Sequence, residues 1–167
     1  PKLNKPLFTQ KMSVVPSTET NKKFEAENAE NLEAIEQQFA VEAVENLETH
    51  WELLASIPGS ELRLTSQDDE IFSTFIACFP EFTKEKLLKF DDMDLKAEKD
   101  KARWRDWSKN FETVIYDYNF GCILRKNSSE PYLENNTVFS FRLQFYAIEI
   151  ARNKLGLNDW VYEKFNA

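Results

Sequence analysis

Leu32, Ile35, Phe39, Ala43, Leu47, Trp51 and Leu54 recur at spacings of three and four. That is the period of a single helical face, and it holds without interruption for more than twenty residues. Pro58 and Gly59 close the run, as a residue that cannot continue a helix followed by one that readily turns should do. The spacing predicts a helix from about Asn28, roughly 40 Å long at 1.5 Å per residue. A chain that builds such a rod must bury its stripe against other elements, so the rod is the scaffold. Glu33, Glu45, Glu48 and Glu52 fall mostly on its other side. Three glycines and six prolines are too few for a sheet-rich fold with many tight turns.

The rest of the pattern is helical with one exception. In "LRLTSQDDEIFSTFIACFP", Thr65 or Ser66 can cap a helix, with Asp68 or Asp69 completing a capping box. Ile71, Phe72, Phe75, Ile76 and Phe79 form its inner face, and Pro80 stops it. The acidic triplet is explained by the helix dipole; consecutive helical positions splay apart and make no ligand set. After a short segment near Lys84 to Phe90, Trp104, Trp107, Phe111, Val114 and Tyr118 predict a third helix from about Asp92 to Tyr118. The exception is β-branched and aromatic: Cys122–Arg125 and Thr137–Phe141 read as two strands of an antiparallel hairpin. The loop between them, residues 126–136, is polar and unusually long, a property often linked to motion or function. Leu143, Tyr146, Ala147, Ile150 and Ala151 then mark a helix from about Arg142 to Lys154. Gly156 suits a left-handed C′ position, Leu157 the hydrophobic contact of a Schellman motif, and Asn158 the cap of a last short helix carrying Trp160 and Val161 inward. The fold class expected is mainly α with a small antiparallel hairpin, an α+β single-domain helical bundle over residues 24–167. Its core should hold Trp51, Phe75, Trp104, Trp107, Phe111, Phe145 or Tyr146, and Trp160.

Residues 1–23 lack any period and read as a flexible tail. The chain begins without Met, and Met12 stands in a fitting initiation context; the sequence leaves open whether the residues before it are native. With 167 residues, fourteen Phe and four Trp, one domain has ample core material. There is no long apolar run and no signal-peptide pattern. Cys78 and Cys122 are expected as buried free thiols of a reducing compartment, which sets aside the sequons at Asn127 and Asn135 and points to the cytoplasm.

The net charge of −8 is uneven. From Phe24 to Glu70 there are thirteen acidic side chains and one basic one, Arg63. Such a surface repels phosphate backbones and argues against nucleic acid as partner; it favours encounter with a basic protein, or simply keeps a helix face solvated. Near Lys99, Arg103 and Arg105, two Trp suggest an RNA-binding patch. Those Trp lie on the core stripe, however, and Glu98, Asp100 and Asp106 interleave with the cations, which makes ordinary solvent ion pairs the better reading. The only His, His50, has no serine or cysteine motif beside it. The isolated glycines form neither a P-loop nor a dinucleotide loop, so no cofactor and no metal is expected.

Several stretches together resemble a small eukaryotic family labelled polysaccharide-biosynthesis-domain proteins: "NLEAIEQQFAVEAVENLETHWELL", "LTSQDDEIFSTF", "FPEF", "ARWRDWSKNFETVIYDYNFGCILR" and "TVFSFRLQFYAIEIARNKLGLNDW". The likeness spans about Ala26 to the C-terminus. It implies a cytosolic, mainly helical, non-enzymatic protein that acts as a dedicated chaperone of translation elongation factor one-alpha. The client's GTP-binding domain would be engaged as it is made, with ribosome-associated factors as further partners and the protein itself a monomer. The family label comes from a distant grouping with plant xylan methyltransferases, whose glycine-rich cofactor loop is missing here. An enzyme of polysaccharide biosynthesis and an interaction adaptor are the alternatives. Two candidate contact faces follow. One is the acidic row Glu45, Glu48 and Glu52. The other is a polar surface where hairpin meets final helices: Asn119, Arg125, Arg142, Glu149, Arg152 and Asn153. Glu149 and Arg152 also share a helix face, so a mutual ion pair, weak if exposed, is the plainer reading of those two.

Overall fold

The structure, a computed structural model, describes residues 29–167, with side chains from Ala40 onward. The tail through Lys23, Met12, and the side chains of Leu32, Glu33, Ile35 and Phe39 lie outside the described residues.

Helix α1 spans Ala29–Ser56, as the stripe predicts. Ala43 and Leu54 are buried and Leu47 and Trp51 half-buried, while Glu45, Glu48 and Glu52 are exposed. Asn46, Thr49 and His50 are buried too, so the inner face is more polar than the stripe suggests. A short 3-10 turn, Gly59–Glu61, follows. A Cβ at Gly59 would stand 2.9 Å from Asn153 Oδ1 and 2.9 Å from the Asn158 Cβ, an approach only glycine permits.

Helix α2, Asp68–Cys78, has Gln67 at its cap position without a side-chain cap; the expected Thr65–Asp68 pair closes the turn just before it instead. The Asp68 carboxylate accepts from Thr65 N at 2.7 Å and Leu64 N at 2.9 Å, and Thr65 Oγ1 accepts from Gln67 N at 2.9 Å. Ile71, Phe75 and Phe79 are buried. Cys78 is exposed rather than buried: the backbone leaves the helix at Phe79, with φ −129° and ψ 64°, and turns Phe79 inward instead. Cys122 is buried as expected.

The expected helix from Asp92 to Tyr118 does not exist as one piece. After α3 (Lys84–Leu88) come α4 (Asp92–Lys96), a 3-10 turn and α5 (Lys101–Ser108). Ala97 is extended, at φ −58° and ψ 131°, and breaks the run. Beyond Ser108 the chain tightens: Asn110 N and Asn110 Nδ2 both donate to Trp107 O, and Phe111 N donates to Ser108 O. Local i→i+3 bonds thus replace the helical ladder. Trp104, Trp107 and Phe111 are buried as expected, but Val114 is exposed and Ile115 is inside.

Strands β1 (Gly121–Arg125) and β2 (Thr137–Phe141) form the antiparallel hairpin, with Cys122 opposite Ser140 and Leu124 opposite Val138. One face carries Cys122, Leu124 and Val138 into the core; Phe139 and Phe141 point out. The long loop is stitched down by Lys126 N to Asn136 O, Asn136 Nδ2 to Pro131 O, and Ser128 N to Leu88 O.

Helix α6, Arg142–Lys154, is the centre of the fold: every residue from Arg142 to Asn153 is buried. It packs on α2, α3, both strands and the 3-10 turn after α1. It ends as predicted. Gly156 has φ +75°, Leu157 N donates to Arg152 O, and Gly156 N to Asn153 O, the two bonds of a Schellman motif. Helix α7, Asp159–Phe165, follows. Asn158 holds the cap position but makes no side-chain cap; its amide turns into the interior. Val161 is buried, and Trp160 and Trp51 sit half-buried against the core. Around α5, Phe79 and Trp104 stack at 4.0 Å and Trp107 Nε1 donates to Thr74 Oγ1 at 2.9 Å.

Candidate functional site

The polar residues expected as a surface at the hairpin–helix join are inside the protein. Arg125, Arg142, Glu149 and Arg152 have no exposure, and Asn153 has 3%. This corrects the expectation of a contact surface. Helix α6 is enclosed on all sides by elements that its own sequence does not reveal, so its polar face meets protein rather than water. Of that set, only Asn119 is exposed.

Glu149 is the hub. Its Oε2 lies 3.0 Å from Arg152 Nη1, and its Oε1 lies 3.5 Å from Arg125 Nη2 and accepts from Asn158 Nδ2 at 2.9 Å. Asn158 ties the group to α7: it accepts from Arg125 Nη2 at 2.6 Å and donates to Asn153 Oδ1 at 2.7 Å. Other donors of the two guanidiniums go to backbone carbonyls, although Arg125 Nε has no hydrogen-bond partner among the described residues. Arg152 reaches Leu87 O at 2.7 Å and Lys126 O at 3.2 Å; Arg125 reaches Ser128 O at 3.0 Å and Glu130 O at 3.2 Å. These bonds clamp the loop and α3 to α6. Arg142 stands apart and donates to Tyr116 O at 2.7 Å.

His50, whose sequence context offered no role, meets the cluster from α1. Its Nδ1 is 2.7 Å from the Tyr132 hydroxyl and its Nε2 is 3.9 Å from Glu149 Oε1. Burial lowers its pKa to about 4, against the pull of Glu149. Burial opposes the charge of Glu149, but Arg125 and Arg152 outweigh it and hold the carboxyl down at about 2. Burial brings Arg152 down to about 10 despite Glu149, and pushes the Cys122 thiol up to about 12. A neutral imidazole, a held carboxylate and an unreactive thiol are suited to joining elements, since each group's hydrogen bonds or charge are spent on neighbours. No spacing rule would have linked His50, Tyr132 and Asn158 to Glu149; the signal in the sequence was only that Glu149 and Arg152 stand at i, i+3 next to the apolar stripe of α6.

Two features remain on the outside. Glu45, Glu48 and Glu52 are exposed on α1, and no cation pairs with them among the described residues. Val41 and Val44, 56% and 42% exposed, stand beside them. Separately, a groove of about 870 Å³ opens between the outer face of the hairpin and α5. Trp104 and Tyr118 line its floor, Phe139 and Phe141 its wall, and Lys96, Lys101, Arg105 and Lys109 stand on its rim. Among the described residues no His, Cys, Asp and Glu side chains gather as a metal ion would need, and no helix is long and apolar enough to cross a membrane.

Comparison with known proteins places this geometry. The family model described as PBDC1 protein matches residues 35–163. A protein named PBDC1 homolog from Saccharomyces cerevisiae is 55% identical over 139 residues, covering 83% of this chain and 95% of the relative. Its counterpart from Schizosaccharomyces pombe is 49% identical, with 83% and 95% covered. Human protein PBDC1 is 39% identical over 82% of this chain, which spans 58% of the human protein. The solution NMR structure of protein yst0336 from Saccharomyces cerevisiae superposes with a TM-score of 0.74 at 55% identity, covering 83% of this chain and 95% of that one.

Proposed function

The chain belongs to the PBDC1 family, and on that premise we propose that it is a non-enzymatic, dedicated chaperone. Its client is newly made translation elongation factor one-alpha, whose GTP-binding domain it holds while that domain folds in the cytoplasm. The client is the one that the sequence resemblance implies. The observation that carries the reading is the acidic row on α1: Glu45, Glu48 and Glu52 face solvent and pair with no cation among the described residues, next to exposed Val41 and Val44. An unneutralised carboxylate row steers a basic partner over long distance, and adjacent apolar side chains give it something to bury on arrival. The reactive-looking groups His50, Cys122 and Glu149 are all enclosed, which supports binding over catalysis.

Stopped-flow association with the nucleotide-free GTP-binding domain tests this. The rate should fall as salt rises, since ions screen charges beyond about 10 Å at 0.1 M. Reversing Glu45, Glu48 and Glu52 to Lys should slow association roughly tenfold while circular dichroism stays unchanged. No recovery of the elongation factor from translating lysate, or an association rate indifferent to both changes, would overturn the proposal. Saturable binding of S-adenosylmethionine would favour the methyltransferase-like alternative.

A further inference from the structure

Among the described residues the sheet has two strands, so each strand leaves one side unpaired by the other. Helix α1 packs on β1. The ladder alternation assigns the open side of β2 to particular residues. Lys126 N bonds Asn136 O, and Arg142 N bonds Phe120 O, so the residues in step with them, Val138 and Ser140, face β1. The main chain of Thr137, Phe139 and Phe141 therefore points away from β1. Phe141 N is taken by Gln144 Oε1 at 3.0 Å; among the described elements no third strand continues the ladder.

Proteins protect such edges with charge, proline or a bulge. The segment "TVFSF" has none of these. It instead exposes Phe139 and Phe141, at 54% and 57%, on the wall of the 870 Å³ groove. The groove also gathers positive charge: its lining holds Lys96, Lys101, Arg105 and Lys109 against a single acid, Glu112. Lys101 pairs with Glu98 at 2.9 Å and Lys109 with Asp106 at 3.5 Å, both pairs exposed and therefore weak. Lys96 and Arg105 have no ion-pair partner among the described residues.

We propose that β2 and this groove form a second docking site, for an extended, acidic peptide segment of a partner protein that adds as a strand to the free edge of β2. A main chain is the ligand that an open edge accepts; the side chains at every second position of the added strand share the groove face, where apolar ones cover Phe139 and Phe141 and acidic ones further along the same face meet Lys96 and Arg105. The site includes no residue of α1 and does not rest on the elongation-factor reading, because its test needs no client.

The probe is a fluorescein-labelled ten-residue peptide in which Leu and Glu take turns at every second position and Ser fills the positions between, so that Leu and Glu share one face of an extended strand. Its counterparts replace every Glu by Lys, or N-methylate the Leu amides so that they cannot pair. Fluorescence anisotropy at low salt should show saturable binding of the Glu peptide alone. Lys96→Glu with Arg105→Glu, both on the rim, should weaken it roughly tenfold or more. Hydrogen exchange at the Phe139 amide of the unmutated protein should slow about tenfold when the peptide saturates. Absence of binding, equal binding of the Lys or N-methylated peptide, or unchanged exchange at Phe139 would each overturn the proposal. A concentration-dependent dimer in sedimentation that Phe139→Lys abolishes would also overturn it, by giving the edge to a second copy of this chain.

Discussion

A methyl group at Gly59 would stand 2.9 Å from Asn153 Oδ1, whereas one at Gly156 would find nothing nearer than Asp159 Oδ2 at 3.9 Å. The two glycines are therefore needed for different reasons. Gly156→Ala meets only backbone strain, at φ +75°, and should lose about 1 kcal/mol. Gly59→Ala must push apart Asn153 and Asn158, both members of the buried cluster, and should lose about 1–3 kcal/mol as an overpacked site does. Urea unfolding of the two variants checks the order; a smaller loss at Gly59 would sink it. The polar residues allow a sharper test. Changing Arg152 and Asn153 together to Ala strips Glu149 of its closest cation inside the protein. The loss should be about 3–5 kcal/mol, lowering the melting temperature by roughly 10 °C. Had those side chains formed the exposed surface that spacing suggests, melting would barely change.

Helices show where pattern is sufficient and where it is not. The ends of α6 were readable because Gly156 and Leu157 act through local backbone geometry. The hairpin was readable within one residue because alternation and β-branching mark it on both strands. The stretch from Asp92 to Tyr118 misled, since its stripe fits a continuous helix while Ala97 and Asn110 break it locally. The break has a consequence at the next two positions. Val114, 53% exposed, should accept Asp within about 0.5 kcal/mol. Ile115, 5% exposed, should lose several kcal/mol to Asp, because a charge would be buried without a partner. Equal melting of the two variants would restore the single-helix reading.

For the molecule as a whole, acid sensitivity should come from the cluster that joins α1, the hairpin loop and α6. His50 has a folded pKa of about 4, below its ordinary 6.5, so the unfolded chain binds its proton first. That contribution is complete above about pH 6.5 and is lost as pH falls toward 4. Glu149, held at about 2 from an ordinary 4.5, adds stability present above about pH 4.5 and lost as pH falls toward 2. Unfolding free energy should thus decline by up to about 3 kcal/mol between pH 6.5 and 4, and His50→Gln should flatten that limb in a pH series of urea melts. A variant with the parent's slope there would remove His50 as the cause. Sequence by itself determined the helical frame of α1, α2 and α6, the two strands of the hairpin, the left-handed Gly156 and the exposed acids of α1. All of these follow from period, β-propensity and backbone freedom, which act between near neighbours in the chain. Tertiary structure alone decided that α6 is enclosed on every side, that His50 and Tyr132 meet 82 positions apart, and that Glu149 stands between two arginines rather than in water. Burial depends on which distant elements close over a side chain, and a polar face at helical spacing reads the same whether water or protein covers it.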